Sequence, residues 1–451
     1  MSWGDNMDIK LSDHFTYKKL LLFAAPTIGT VLIAITYDII DGFFVSNYIG
    51  KTAFAAVNII YPFQLMLSVI GYMFGTGGSA LIASELGRNK ADRAQQIFTM
   101  IIRTAIYLGL VLAVAGFIFL PEIGALIGAT PDIMEYGLPY GRTLFLFLPI
   151  MIVGYAFQSI LITAEKPQLG FYLSIANMCS NIIFDYLFIV VFQWEMVGAA
   201  VATGIGACIN GLVPLYYFSR PNSSCLRFTS YRFDRKALLD TCSNGLSEMV
   251  DDMAASIIFV FYNIQLLRFM GEDGVAAFGV VVFVEGIFTA VFAGLCLEAN
   301  SVVGYHYGAQ NYSELKSLLK KGIILNLTFG VLMFSLAEIT AKQIAEIYVG
   351  YDLAVCALAE EALKAFALAF ILQGFNIYAA AYFTGLNNGK ISAVIALSRT
   401  FLFQTLAIFG LPLILGAESL WICQAVAELV AAAVSITLLY THRHDYLGDN
   451  S

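Results

Sequence analysis

The chain has 451 residues, of which 59% are hydrophobic and 12% charged, whereas a soluble protein carries about 25% charged residues. With a mean hydropathy of +0.78, this excludes a soluble globular enzyme. A formal charge of −8, with no dense basic tract, excludes nucleic acid as a partner and leaves the lipid bilayer as the medium the chain is built for.

Residues 1–19 contain no apolar run ahead of a small-residue cleavage site, so the first helix is expected to stay as an anchor. From Leu20 to Tyr440, apolar runs of about 20 residues recur, each long enough to cross a hydrocarbon core. They are continuous rather than alternating, which predicts helices and not barrel strands. In chain order the predicted spans are 17–44, 54–79, 95–120, 138–163, 168–192, 196–219, 237–267, 275–303, 316–341, 357–386, 390–415 and 418–440. With the first helix starting in the cytoplasm, Lys18, Arg88, Arg93, Lys166, Arg235, Lys320 and Lys390 all lie inside, and only Lys51, Arg268 and Lys342 lie outside. The positive-inside rule then puts both termini in the cytoplasm of a multi-pass inner-membrane protein.

Sliding the second half back by about 221 positions brings Gly271, Ala276 and Ala277 onto Gly50, Ala55 and Ala56, Gly308 onto Gly87, and Lys364 onto Arg142. The expected organisation is a first lobe at 1–219, a polar cytoplasmic linker at 220–236 and a second lobe at 237–451. Six helices per lobe make the repeat parallel, with a pseudo-twofold axis along the membrane normal and a cleft between the bundles. A monomer suffices for that architecture. The seven cysteines are scattered through apolar runs and read as small buried hydrophobes. Trp194 and Trp421 each open the last helix of a lobe and read as interfacial anchors.

Four stretches give the chain a resemblance. Pro26 followed by DGFFVSNYIG from Asp41, GTGGSALIASELGRNKADRA from Gly75, NMCSNIIFDYLFI from Asn177 and VGAAVATGIG from Val197 are similar to motifs of the multidrug and toxic compound extrusion (MATE) transporters. The resemblance implies the fold of that family within the MOP superfamily: an all-α membrane protein of about twelve helices in two pseudo-twofold-related bundles. It also implies export of amphipathic, often cationic compounds in exchange for H⁺ or Na⁺, with no cofactor beyond that ion, and a hinge at Pro26. One departure is plain. Some members carry a carboxylate in the tenth helix, where this chain has only Gln373 and Asn376.

Ionisable groups inside a span cost at least about 2.5 kcal/mol at the helix centre, so each needs a reason. Asn177, Asn181 and Asp185 recur every fourth residue and share one stripe of the fifth helix. Counting along the helices puts Asp41, Asp185 and Thr203 at similar depth in the outer half of the membrane. Two carboxylates with amide and hydroxyl oxygens can share a proton or hold a Na⁺ ion at Asp41, Asn181, Asp185 and Thr203. Asp38 is either a second acceptor or a solvated cavity group, and Asp41 either serves this site or ends its helix.

In the second lobe Glu248, Asp251 and Asp252 form an acidic cluster, joined by Glu285 and Glu428, against Arg399. Glu248, Asp251, Gln373, Asn376 and Arg399 are the candidate substrate-binding residues, and Glu428 reads as an ion-pair partner of Arg399. Pro26, Pro62, Pro149 and Pro214 interrupt first-lobe helices, against Pro412 in the second. The four histidines fall in tails or a loop, which leaves an intramembrane enzyme without its catalytic constellation. A flippase for lipid-linked precursors would need a cationic cleft, whereas the charges in these spans are mainly acidic.

Overall fold

The computed structural model describes residues 9–126 and 129–447, with every side chain except those of Asp38, Ile39, Lys51, Asp445 and Leu447. Among the described residues there are helices and connections but no strand. We label the long helices α1 (Tyr17–Ile49), α2 (Thr52–Gly87), α3 (Ala91–Leu126), α4 (Pro131–Thr163), α5 (Pro167–Val191) and α6 (Glu195–Ser219). A single run, Arg235–Gly308, turns back at Gly271, whose φ of 68° only glycine adopts readily. It therefore comprises two spans, α7 (235–270) and α8 (272–308). The remaining long helices are α9 (Tyr312–Val349), α10 (353–385, broken between Ala367 and Phe370), α11 (Gly389–Leu415) and α12 (Ala417–Thr441), followed by one turn at His444–Leu447. This is the twelve-helix count expected from the sequence, with several spans longer than predicted. The longer α3 takes in Pro121, and the earlier start of α4 moves Pro139 from a first turn into the helix interior, so the first half holds more helix-interrupting prolines than the sequence reading named.

Local chemistry sets the helix starts. The Thr16 hydroxyl accepts the Lys19 N–H at 3.3 Å ahead of α1, Asp234 accepts the Ala237 N–H at 3.1 Å ahead of α7, and Asn311 accepts the Glu314 N–H at 3.2 Å ahead of α9. Pro131 and Pro167 occupy the first turns of α4 and α5, where no N–H is needed.

One hydrophobic core is built mainly from residues of the first half, among them Ile60, Phe98, Phe145 and Ile152, joined by Leu226 and Ala237, and a second from residues of the other half, among them Phe292, Phe366 and Ile408. A third is shared. Leu11, Phe15, Phe23, Ala83 and Ile162 meet Val302, Val303, Leu315, Tyr378 and Tyr382 at the end of the molecule that bears both chain termini. There the two repeats touch reciprocally. A Cβ on Gly87 would lie 2.0 Å from the Tyr305 carbonyl oxygen, and one on Gly308 would lie 1.9 Å from the Ser84 carbonyl oxygen. These are equivalent positions at the 221-residue offset, so α2 and α8 meet about the pseudo-twofold axis.

Three sequence expectations are corrected by burial. Trp421 is 1% exposed and belongs to the second core rather than to an interface, whereas Trp194 is exposed. His306 is not in a loop but buried in the last turns of α8, because that helix runs on to Gly308. Of the cysteines only Cys296 and Cys423 are buried. Cys179 is exposed and the others are half-buried.

Candidate functional site

Two polar assemblies lie inside the helical bundle. The first joins α1, α5 and α6. Asp41 and Asp185 are buried, and their carboxyl groups face each other. Thr203 donates its hydroxyl proton to Asp41 Oδ1 at 3.4 Å. Asn181 is fully buried, and its amide makes no hydrogen bond among the described residues. Asp41 and Asp185 lie about 12 and 9 Å from the far ends of their helices, at 1.5 Å per residue. The structure thus brings together Asp41, Asp185 and Thr203, with Asn181 one turn before Asp185 on α5. The side chain of Asp38 lies outside the described residues.

Helix geometry explains why these carboxyls sit where they do. Asp185 immediately precedes a π-helical turn at Tyr186–Val191, and Asp41 lies four residues before another at Val45–Ile49. The two turns pack against each other. A π turn widens the helix and disturbs its hydrogen-bond ladder, and such turns gather at functional sites. Nothing in the sequence announced them. A hard-oxygen set of two carboxylates, a hydroxyl and an amide suits a proton shared between acids or a Na⁺ ion.

The second assembly joins α7, α10, α11 and α12. Arg399, 6% exposed, lies in a third π turn, Ser398–Phe403. It donates to Asp251 at 2.6 Å and to Glu428 at 3.1 Å. Thr400 donates to the other Asp251 oxygen. Asn376 donates to Glu428 Oε2 at 2.7 Å and accepts from Ser435 at 2.9 Å. Asp251, Asn376 and Arg399 are therefore engaged with the protein's own groups. Gln373 bonds Thr289 at 3.0 Å. Glu248 and Glu285 lie within the field of Arg399, so four carboxyl groups surround one guanidinium, and Asp252 lies beside two of them, Asp251 and Glu248.

Between the assemblies lies a cavity of about 510 Å³. Tyr37, Tyr61, Tyr72 and Tyr155 line it, with Met66, Met151 and Met253. The Tyr72 and Tyr155 rings stand 4.7 Å apart, and Tyr72 donates to Gln158 at 3.0 Å. Among the described side chains, the carboxylate on its wall is Asp252, brought in by α7 together with Ser256. Glu248, Asp251, Gln373, Asn376 and Arg399 do not line it. Asn177 and Thr203 do, and both belong to the stripe or the oxygen set of the first assembly, so the cavity adjoins that pocket. The sequence reading placed Asp252 in the acidic cluster but named Asp251 as the substrate-binding residue; residues one apart on a helix face directions about 100° apart, and it is Asp252 that lines the cavity.

The MatE family model matches residues 26–187 and 249–409. The chain belongs to the MatE family and is a membrane transporter of that class. It is similar to the multidrug export protein MepA of Staphylococcus haemolyticus, 21% identical over 434 residues covering 95% of this chain and 94% of the relative. It also resembles the probable multidrug resistance protein YoeA of Bacillus subtilis, 24% identical over 75% of each chain. Among solved structures, the outward-facing conformation of a multidrug resistance MATE family transporter of the MOP superfamily superposes with a TM-score of 0.88, at 21% identity over 95% of this chain and 96% of that one.

Proposed function

We propose that this chain is a secondary efflux transporter that exports amphipathic organic cations in exchange for H⁺ or Na⁺, from an inner membrane with both termini in the cytoplasm. Residues 1–219 and 237–451 are the two lobes of an alternating-access cycle joined by the 220–236 linker, and one copy of the chain is the working unit. The observation that carries this reading is the tyrosine-lined cavity, with Asp252 on one wall and Asn177 and Thr203 leading to the Asp41–Asp185 pair on the other. Aromatic faces and a carboxylate recognise a soft organic cation together. Two buried acids beside it bind an ion that must favour one conformation over the other to drive exchange. The name of the relative MepA, a multidrug export protein, supports the same direction of transport.

The test is ethidium movement in proteoliposomes under an imposed pH or Na⁺ gradient. Gradient-dependent accumulation is expected, abolished by Asp185→Asn. Uptake that ignores both gradients would sink the exchange mechanism.

A further inference from the structure

Glu298 of α8 is used by neither assembly. It is 2% exposed, and its Oε1 accepts the hydroxyl proton of Thr27 in α1, while Oε2 makes no hydrogen bond among the described residues. Its contacts join the two halves of the chain. One turn away, a Cβ on Gly294 would lie 2.8 Å from the Ile28 nitrogen, so the two helices are in direct contact with no room for water between them. Thr27 directly follows Pro26, the residue that interrupts α1. Three residues on, Thr30 donates to the Pro26 carbonyl at 3.1 Å and lines the cavity. Glu298 is also about 15 Å from the end of α8, beneath the core shared by both halves at the termini-bearing face.

No ion pair is formed by Glu298, and no charged side chain among the described residues faces it from α1, α2 or α10; Thr27 is its polar neighbour. An ionised carboxylate there would have one O–H donor and no counter-ion in a membrane interior. A neutral acid leaves only one O–H without an acceptor, the smaller penalty.

We propose that Glu298 is a protonation latch of the transport cycle, a positioning residue that holds α1 against α8 through Thr27 while neutral and lets the termini-bearing face reopen and reclose according to the pH of that compartment. When the face opens, water reaches the carboxyl and it releases its proton to the solution on that side. Reclosure returns the ion to a dry site and requires one proton back from the same side. The latch moves no net proton across the membrane. It sets the closing equilibrium, which falls tenfold per pH unit once the exposed acid is ionised. The device rests on the alternating-access reading above, and its readout is chosen to be independent of transport.

The experiment places a fluorophore and a quencher at Lys90→Cys, between α2 and α3, and Ser313→Cys, in the first turn of α9 on the same face, in a cysteine-free protein in lipid nanodiscs without substrate. The closed fraction of the parent is read from pH 5 to 9. A decline with rising pH is expected, and Glu298→Gln, which still accepts from Thr27 but cannot ionise, should remove up to tenfold per unit of that slope and keep the face closed. His14, Glu165, His306 and Glu314 lie near the same face, and the difference between parent and variant isolates Glu298 from them. Thr27→Val should lower the closed fraction at every pH, and Thr27→Ser should restore it. Identical slopes in parent and Glu298→Gln, or an unchanged closed fraction in Thr27→Val, overturn the latch whatever happens to dye transport. A confirmed latch in a protein that moves no ethidium overturns the export reading alone.

Discussion

Replacing Asp252 by Asn should separate charge recognition from shape recognition in the cavity. A sphere of 510 Å³ has a radius of about 5 Å, and two unit charges at that distance attract by about 3.3 kcal/mol at an effective dielectric of about 20, or about 1.7 kcal/mol if water in the cavity doubles it. Arg399 of the second assembly does not cancel this field, since Asp251 and Glu428 already hold it at 2.6 and 3.1 Å. Asp252→Asn is therefore expected to weaken binding of a monocation such as ethidium by roughly 20- to 250-fold. A neutral aromatic ligand of the same size should lose less than about threefold, because the tyrosine walls are untouched. Fluorescence anisotropy titrations of both ligands on purified protein measure the two losses. Equal losses for the two, or none for the cation, would refute Asp252 as the recognising charge.

Asp185→Asn removes charge at nearly constant shape from a group that faces Asp41. The protein should fold and still bind ethidium, while dye accumulation under a one-unit pH gradient, at most about tenfold per proton exchanged, collapses to unity. Arg399→Met strands buried Glu428 without a cation and should cost about 3–5 kcal/mol of stability. Arg399→Met with Glu428→Leu should recover most of that loss in denaturant unfolding, and a double variant no more stable than the single one would contradict a structural ion pair. In the linker, burial pushes the Cys225 thiol up to about 12, and it donates to the Thr163 carbonyl. The reactive thiolate is thus scarce at neutral pH, so maleimide labelling of Cys225 should be slow and should rise about tenfold per pH unit from pH 7 to 10. Fast labelling at pH 7 would show the linker detached from α4.

Much of the fold was legible because lipid constrains a sequence severely: every span must be apolar and about 20 residues long, so helices announce themselves by length alone. The repeat was legible at Gly50 and Gly271, which both adopt positive φ at turns, and at Gly87 and Gly308, which meet across the axis. What stayed hidden depends on packing in three dimensions. The span lengths of α3, α4 and α8 were underestimated because polar residues such as Arg93 and His306 continue a helix beyond its apolar stretch. Trp421 at the start of α12 has the position of an anchor and the surroundings of a core residue. Glu298 sits in an apolar run whose partner, Thr27, is 271 residues away in the chain. The three π turns carry no local signature at all.

The placement of groups on α1 gives the strongest reason to treat the two halves of the site as one mechanism. Its first turns, through Phe23, belong to the core shared with the second half of the chain. Thr27 is bound to Glu298, Thr30 and Tyr37 line the cavity, and Asp41 meets Asp185. Pro26 stands between the segment anchored to the second half and the segment that carries the cavity and the acid pair. A proline in a helix removes one backbone hydrogen bond and lets the two segments change their angle at small cost. On the proposed cycle, an ion arriving at Asp41 and Asp185 acts on the far segment, and Glu298 holds the near one. Bending at Pro26 is then the one internal motion that connects them through a single covalent element, with the cavity wall moving in between.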